Sequence, residues 1–199
     1  KGWSEGEKII CVMVRDDAYL SSKNWKYHSY RDSDISTFVP ALELLASMGY
    51  WVIRMGKTMK NPLNLNNSHI IDYAFDKEKS DLLDVWLFAN CELCITTGTG
   101  PDMISLMYKR PVLAINYIPL GALFSWGEAL HAPKNLYWKE TGLTLSWKEH
   151  IENSFHHTKS YEDAGIDVID LSSEEIVDIV NEMISRINKK FIEFDDDST

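Results

Sequence analysis

Nowhere does this sequence approach the roughly eighteen uninterrupted apolar residues that a membrane helix needs. It also lacks basic excess: 20 Lys and Arg stand against 30 Asp and Glu, a formal net charge of −10. A nucleic-acid surface needs a basic stripe to displace counterions, and the longest basic cluster here, Lys189-Lys190, sits beside an acidic tail holding Glu193, Asp195, Asp196 and Asp197. No nucleic-acid partner is expected. Three cysteines cannot all pair, which fits a reducing compartment and a cytoplasmic setting. Cys91-Glu92-Leu93-Cys94 has no second cysteine pair to complete a zinc site, and it precedes a strand where a redox motif would open a helix, so these are expected to be buried structural thiols. Repeats, low-complexity segments and linkers are absent too. The chain opens on Lys1-Gly2-Trp3, with neither initiator Met nor signal pattern, which suggests a piece of a longer polypeptide. What remains is a globular balance, 45% hydrophobic and 25% charged over 199 residues, read as one domain over residues 1–190 and a frayed acidic tail over 191–199.

Within the domain, apolar runs too short for helices alternate with helical patterns. "KIICVMV" (8–14), "YWVIRM" (50–55), "HIIDYA" (69–74), "LCIT" (93–96), "PVLAIN" (111–116) and "DVIDL" (167–171) read as strands, several apolar throughout as in sheets buried on both faces. Between them, Ile35, Phe38, Val39, Leu42, Leu45 and Ala46 recur at helical spacing. Pro40 is tolerable only in the first turn, which starts that helix near Ser36. Ser80 caps a second helix, Pro101 opens a third running to about Tyr108, and Ser172 with Glu175 has the spacing of a capping box ahead of a long amphipathic helix. Residues 117–161 read loosely, with Trp126, Trp138 and Trp147 expected to pack a loop-rich layer. The alternation predicts an α/β fold, a Rossmann-like parallel sheet with helices on both faces.

In such a sheet ligands sit outside the carboxyl ends of the strands. The residues just past those ends are Arg15, Arg54 with Gly56, Asp72 with Tyr73, Thr96 to Gly100, and Asn116 with Tyr117. The most specific element is "CITTGTGPDMIS" (94–105). Gly100 reads as N-cap and Pro101 as first helical residue; Gly98 and Gly100 allow close backbone approach, and Thr97 and Thr99 offer hydroxyls. That composition suits an anion, although a tight turn with glycines for geometry alone is the competing reading. Asp102 either accepts hydrogen bonds from ribose hydroxyls or complements the helix dipole. Two better-known phosphate motifs fail: Met103 occupies the third glycine of G-x-G-x-x-G, and Gly56-Lys57-Thr58 lacks the first glycine of a Walker loop, where Trp51 stands. Arg15 is the natural phosphate partner, unless it merely pairs with Asp16 or Asp17. In "YHSYRDSDI" (27–35), His28 is a candidate catalytic base for an acceptor hydroxyl, or else an exposed or capping histidine, and Arg31 a second phosphate ligand. His156-His157 has no carboxylate or cysteine at ligand spacing, and no metal is expected.

"VMVRDDAYL", "YHSYRDSDISTFVPALELLASMGYWVIRMG", "IIDYA", "SDLLDVWLFANCELCITTGTGPD" and "RPVLAINYIP" resemble, in order, a bacterial family of glycosyltransferases of surface-polysaccharide loci, across roughly residues 8 to 187. The Arg15 strand, the Ser80-Asp81 helix and the threonine-glycine loop are also remotely similar to the nucleotide-binding half of fucosyltransferases that use GDP-fucose. The resemblance implies a GT-B enzyme with two Rossmann-like domains, the donor held by the C-terminal one and the acceptor in the cleft between them. It places Arg15 and the Thr97-Gly98-Thr99 loop at donor phosphates, and Asp72, Ser80 and Asp81 near nucleoside or ribose. It implies as partners a nucleotide diphosphate sugar, which is donor substrate and not cofactor, and a glycan acceptor. Against that pattern, an N-terminal acceptor domain is expected to be missing from these 199 residues. Arg15, the backbone N–H groups at 98 to 102 and Arg31 are then expected to stabilise the diphosphate leaving group. A sugar-nucleotide epimerase or hydrolase, and a non-catalytic nucleotide-sugar-binding module, are the alternatives.

Overall fold

A computed structural model describes residues 2–18, 26–124 and 127–188. Trp126, Lys189-Lys190 and the acidic tail lie outside these residues. Strands β1 (Ile9–Met13), β2 (Trp51–Arg54), β3 (Ile70–Ile71), β4 (Leu93–Thr96), β5 (Val112–Ile115) and β6 (Ala129–Ala132) form one sheet in the order β3-β2-β1-β4-β5-β6, parallel at every pairing. β2, β4 and β5 are buried along their whole length, because each face of the sheet is covered.

The helices are α1 (Val39–Ser47), α2 (Asp81–Asn90), α3 (Asp102–Met107), α4 (Trp147–Glu152), α5 (Thr158–Asp163) and α6 (Ser173–Ile187). Successive strand side chains point to opposite faces, so Ile10, Val12 and Ile95 meet Leu42 and Leu45 of α1 and Val180 and Ile184 of α6. Ile9, Cys11 and Cys94 meet Leu87 and Phe88 of α2 and Leu106 of α3. All three cysteines are free and buried. A third cluster, built on Tyr30, Leu136, Tyr161 and Ile166, holds together α5 and a two-stranded antiparallel ribbon of β7 (Asn135–Trp138) and β8 (Ile166–Ile169). Among the described residues, no helix is long and apolar enough to cross a membrane.

The sequence-based expectations for α2 and α6 hold in detail. The Ser80 hydroxyl accepts from the Leu83 amide, and Ser172 and Glu175 form a reciprocal capping box. Four expectations change. Residues 35–38 are a 3-10 turn capped by Asp34, and α1 begins at Val39, because Pro40 has no N–H to give to residue 36. β3 stops at Ile71, since Asp72 turns away to accept from the Leu63 amide at 2.6 Å. "DVIDL" does not extend the main sheet: Ile166 is buried while Asp167 and Ile169 are exposed, a one-sided pattern suited to the ribbon. The sixth place goes to Ala129–Ala132, which has no β-branched residue to announce a strand. Of the tryptophans, Trp138 donates to Glu149 Oε1 at 3.1 Å, but Trp147 is 67% exposed and packs no layer.

Candidate functional site

The chain runs from β1 outward to β2 and β3 on one side and returns to β4, β5 and β6 on the other. The order therefore reverses between β1 and β4, and loops leaving the carboxyl ends of those strands part there. Two bonds clasp the strand ends beneath the gap: the Arg15 amide donates to Thr97 Oγ1 at 2.9 Å, and the Thr97 amide to the Met13 carbonyl at 3.2 Å. Beside this clasp opens a cavity of about 1190 Å³, lined by residues 13–17 after β1, 55–59 after β2, the first turns of α2, and Thr99, Gly100, Pro101 and Ile104. Its floor is apolar, with Met13, Met55, Val85 and Phe88, and its rim is charged. That combination suits a ligand with one flat apolar part and one ionised part.

The 96–102 loop is built from its own side chains. Gly98 has φ 78, and a Cβ there would lie 2.7 Å from the Tyr117 ring, so glycine is required. The Gly98 amide donates to Thr96 Oγ1 at 3.1 Å, and the Thr99 amide and the Thr96 hydroxyl both donate to Asp102 Oδ2, at 2.8 and 2.9 Å. Asp102 is 1% exposed. Burial pushes its carboxyl up, and the Thr96 and Thr99 hydrogen bonds pull the other way. Two expectations change. Asp102 fastens the loop internally through Oδ2. Pro101, not Gly100, stands at the N-cap position of α3, with no side-chain cap hydrogen bond. The amides of 98 and 99 are consumed by the loop, while no bond to a protein acceptor engages the Gly100 amide among the described residues.

Arg15 lines the cavity. Its Nε donates to Asp32 Oδ1 at 2.9 Å, with both side chains 25% exposed. The partner is thus neither Asp16 nor Asp17; both of those turn to Lys60. Burial pushes the Asp32 carboxyl up and the Arg15 guanidinium draws it back. Arg31 also lines the cavity but is already committed, since its Nη2 donates to the Gly98 carbonyl and props the loop. Asp81 stands at the rim, paired with Lys57 at 3.2 Å.

The other candidate residues are not brought to the cavity. Asp72 pairs with the fully buried Arg54 at 3.3 Å, beneath the loop that follows β2, so Arg54 is structural rather than a rim residue. Ser80 is spent as a helix cap. His28 packs against Tyr27 at 4.0 Å and parallel to His157 at 6.2 Å, on the side of α5. Burial, followed by the positive charges of Arg15 and Arg31, holds its imidazole below the ordinary value. Asp32 and Lys57 were not singled out by the sequence. Asp32 and Asp34 look alike in "YRDSDI", yet one grips Arg15 and the other caps a turn, a difference set by tertiary contacts.

No family model and no curated protein matches the chain. Solved structures do. A glycosyl transferase family 9 protein from Veillonella parvula DSM 2008 superposes with a TM-score of 0.53 at 12% identity, covering 93% of this chain and 48% of that one. The fold is shared with a glycosyltransferase. Looser likenesses are the heptosyltransferase TibC in complex with ADP-D-beta-D-heptose (TM-score 0.43, 15% identity, 92% of this chain and 45% of that one) and the glycosyltransferase SnogD from Streptomyces nogalater (0.41, 13%, 94% and 43%). The chain spans about half the length of these proteins: 48%, 45% and 43%.

Proposed function

We propose that this chain is the donor-binding domain of a glycosyltransferase that passes a sugar from a nucleotide diphosphate to a glycan acceptor. One observation carries the reading: a cavity at the reversal of a β3-β2-β1-β4-β5-β6 parallel sheet presents an arginine beside a glycine-threonine loop. The arginine is poised for an anion. With Nε held by Asp32, the edge carrying the two terminal nitrogens of Arg15 has no protein acceptor among the described residues. That edge matches two phosphate oxygens. The apolar floor takes the base, and the rim carboxylate Asp81 is placed to accept from ribose hydroxyls.

During transfer, the bond from the anomeric carbon to the diphosphate oxygen breaks, the acceptor hydroxyl loses its proton to solvent and its oxygen bonds to that carbon, and negative charge collects on the departing diphosphate. Arg15 and the Gly100 amide are the groups that meet this charge, already oriented before reaction. Arg31 and the amides of 98 and 99 act one step back, by fixing the loop. Titration calorimetry with GDP, UDP, ADP, CDP and dTDP tests the reading: one or more bind saturably, and Arg15→Ala loses about tenfold or more in affinity with an unchanged circular dichroism spectrum. Equal affinity in Arg15→Ala would remove Arg15 from the site.

A further inference from the structure

Arg15 ends a chain of four residues joined by three contacts. Its Nε is held by Asp32 Oδ1 at 2.9 Å; the Asp32 carbonyl accepts from Lys134 Nζ at 2.6 Å; and the same Nζ pairs with Asp170 Oδ1 at 2.6 Å. Lys134 is 3% exposed, so its ammonium is committed to these partners rather than to solvent. It lies beyond β6, and Asp170 lies beyond β8. The backbone of Asp32 is thereby tied to Lys134, which Asp170 holds in turn, while the Asp32 carboxylate grips Arg15 and Asp32 lines the cavity. A free arginine samples many rotamers, and holding one in place costs side-chain entropy that a ligand must otherwise supply. Here Asp32 occupies the Nε side of the guanidinium, the two terminal nitrogens have no acceptor among the described residues, and Arg15, Thr99 and Gly100 line the same cavity.

We infer that Asp32, braced by Lys134 and Asp170, is the positioning residue that presents Arg15 to the diphosphate of the ligand. This rests on the reading of the cavity as a nucleotide diphosphate site. Asp32 touches no phosphate itself; a carboxylate placed against a dianion would repel it. Its contribution is therefore specific to ligands with phosphate and passes through Arg15. Asp34, two residues away, makes no contact with Arg15 and only caps a turn, so the function belongs to position 32.

The test measures the affinity of the whole 199-residue chain for GDP, UDP, ADP, CDP and dTDP, and for the matching nucleosides, in wild type, Asp32→Ala and Asp32→Asn. Circular dichroism and thermal unfolding are recorded on each. The expected result is that Asp32→Ala weakens the bound nucleoside diphosphate about tenfold or more and leaves the matching nucleoside within about twofold. Asp32→Asn keeps an oxygen for Arg15 Nε and the same size, and recovers much of the loss. It also serves if the alanine variant does not fold. Unchanged diphosphate affinity in both variants overturns the proposal while leaving the cavity reading intact. An equal fall for nucleoside and diphosphate also overturns it, since that is the behaviour of a merely structural residue. If wild type binds none of the five diphosphates, the cavity reading falls and this proposal falls with it.

Discussion

Gly98 and Gly100 stand two positions apart in one loop and carry different burdens. Gly98 has a left-handed φ of 78 and the Tyr117 ring within 2.7 Å of a would-be Cβ, whereas nothing lies within 4 Å of one at Gly100, whose φ is not positive. Gly98→Ala is therefore expected to cost about 1–3 kcal/mol in urea unfolding, and Gly100→Ala to stay within about 0.5 kcal/mol. Equal costs would show that the loop is held otherwise. Asp102→Ala is expected to lose about 1–3 kcal/mol in the same assay, because the Thr96 hydroxyl and Thr99 amide lose their acceptor inside a buried loop. At this scale the sequence is half legible. Arg15, Gly98 and Thr99 stand out from type and place alone. Asp102 is open in the sequence between a ribose acceptor and a dipole complement, and its bonds back into the loop are a tertiary fact that neither alternative contains. For Asp72 and Ser80 the structure adds partners that the sequence does not show, Arg54 and the Leu83 amide.

Elements were legible where burial is two-sided or a cap is explicit. β1, β2, β4 and β5 are apolar apart from Arg54 and Thr96 at their ends, and α2 and α6 announce themselves with Ser80 and Ser172. β6 and β7 are not announced by the sequence: Ala-Leu-His-Ala has no β-branched residue, and Asn-Leu-Tyr-Trp, with two strand-favouring aromatics, is too short to show an alternation. Ser172→Ala is expected to cost about 1 kcal/mol of stability while leaving nucleotide affinity unchanged, since α6 lies on the face opposite α2 and α3. The 3-10 segment Lys26–Arg31, which carries His28 and Arg31, is joined to α5 through Thr158, whose Oγ1 accepts from the Tyr30 amide at 3.1 Å. His28 is held below its ordinary value there, so the unfolded chain binds a proton where the folded one does not. Stability is accordingly lost as pH falls from the ordinary histidine value, about 6.5, through the lowered folded value. His28→Gln should flatten that part of the stability-against-pH curve in denaturant unfolding; an unaltered slope would place the titration elsewhere.

At the scale of the molecule, a chain of net charge −10 brings Arg15, Lys26, Arg31 and Lys57 to the cavity where the sheet order reverses, interleaved with Asp16, Asp17, Asp32, Asp81 and Asp84, so anion binding there depends on the local geometry of Arg15 and not on a net positive field. The sheet and its covering helices were readable from the alternation of periods. The reversal point was not, because strand order is a property of pairing, and no local pattern separates β4 beside β1 from β4 beside β3. That order turns scattered strand-end residues into one site. The central claim, that the cavity between β1 and β4 holds a nucleoside diphosphate, is tested most directly by thermal unfolding of the chain with excess UDP, GDP, CDP, ADP and dTDP in parallel, each against its nucleoside. At about a hundred times Kd, a bound diphosphate stabilises by about 2.7 kcal/mol, or on the order of 5–10 °C for a chain of this size. The account predicts such a shift with at least one diphosphate, a much smaller one with its nucleoside, and its loss in Arg15→Ala. No shift with any of the five, or an equal shift for diphosphate and nucleoside, would contradict it.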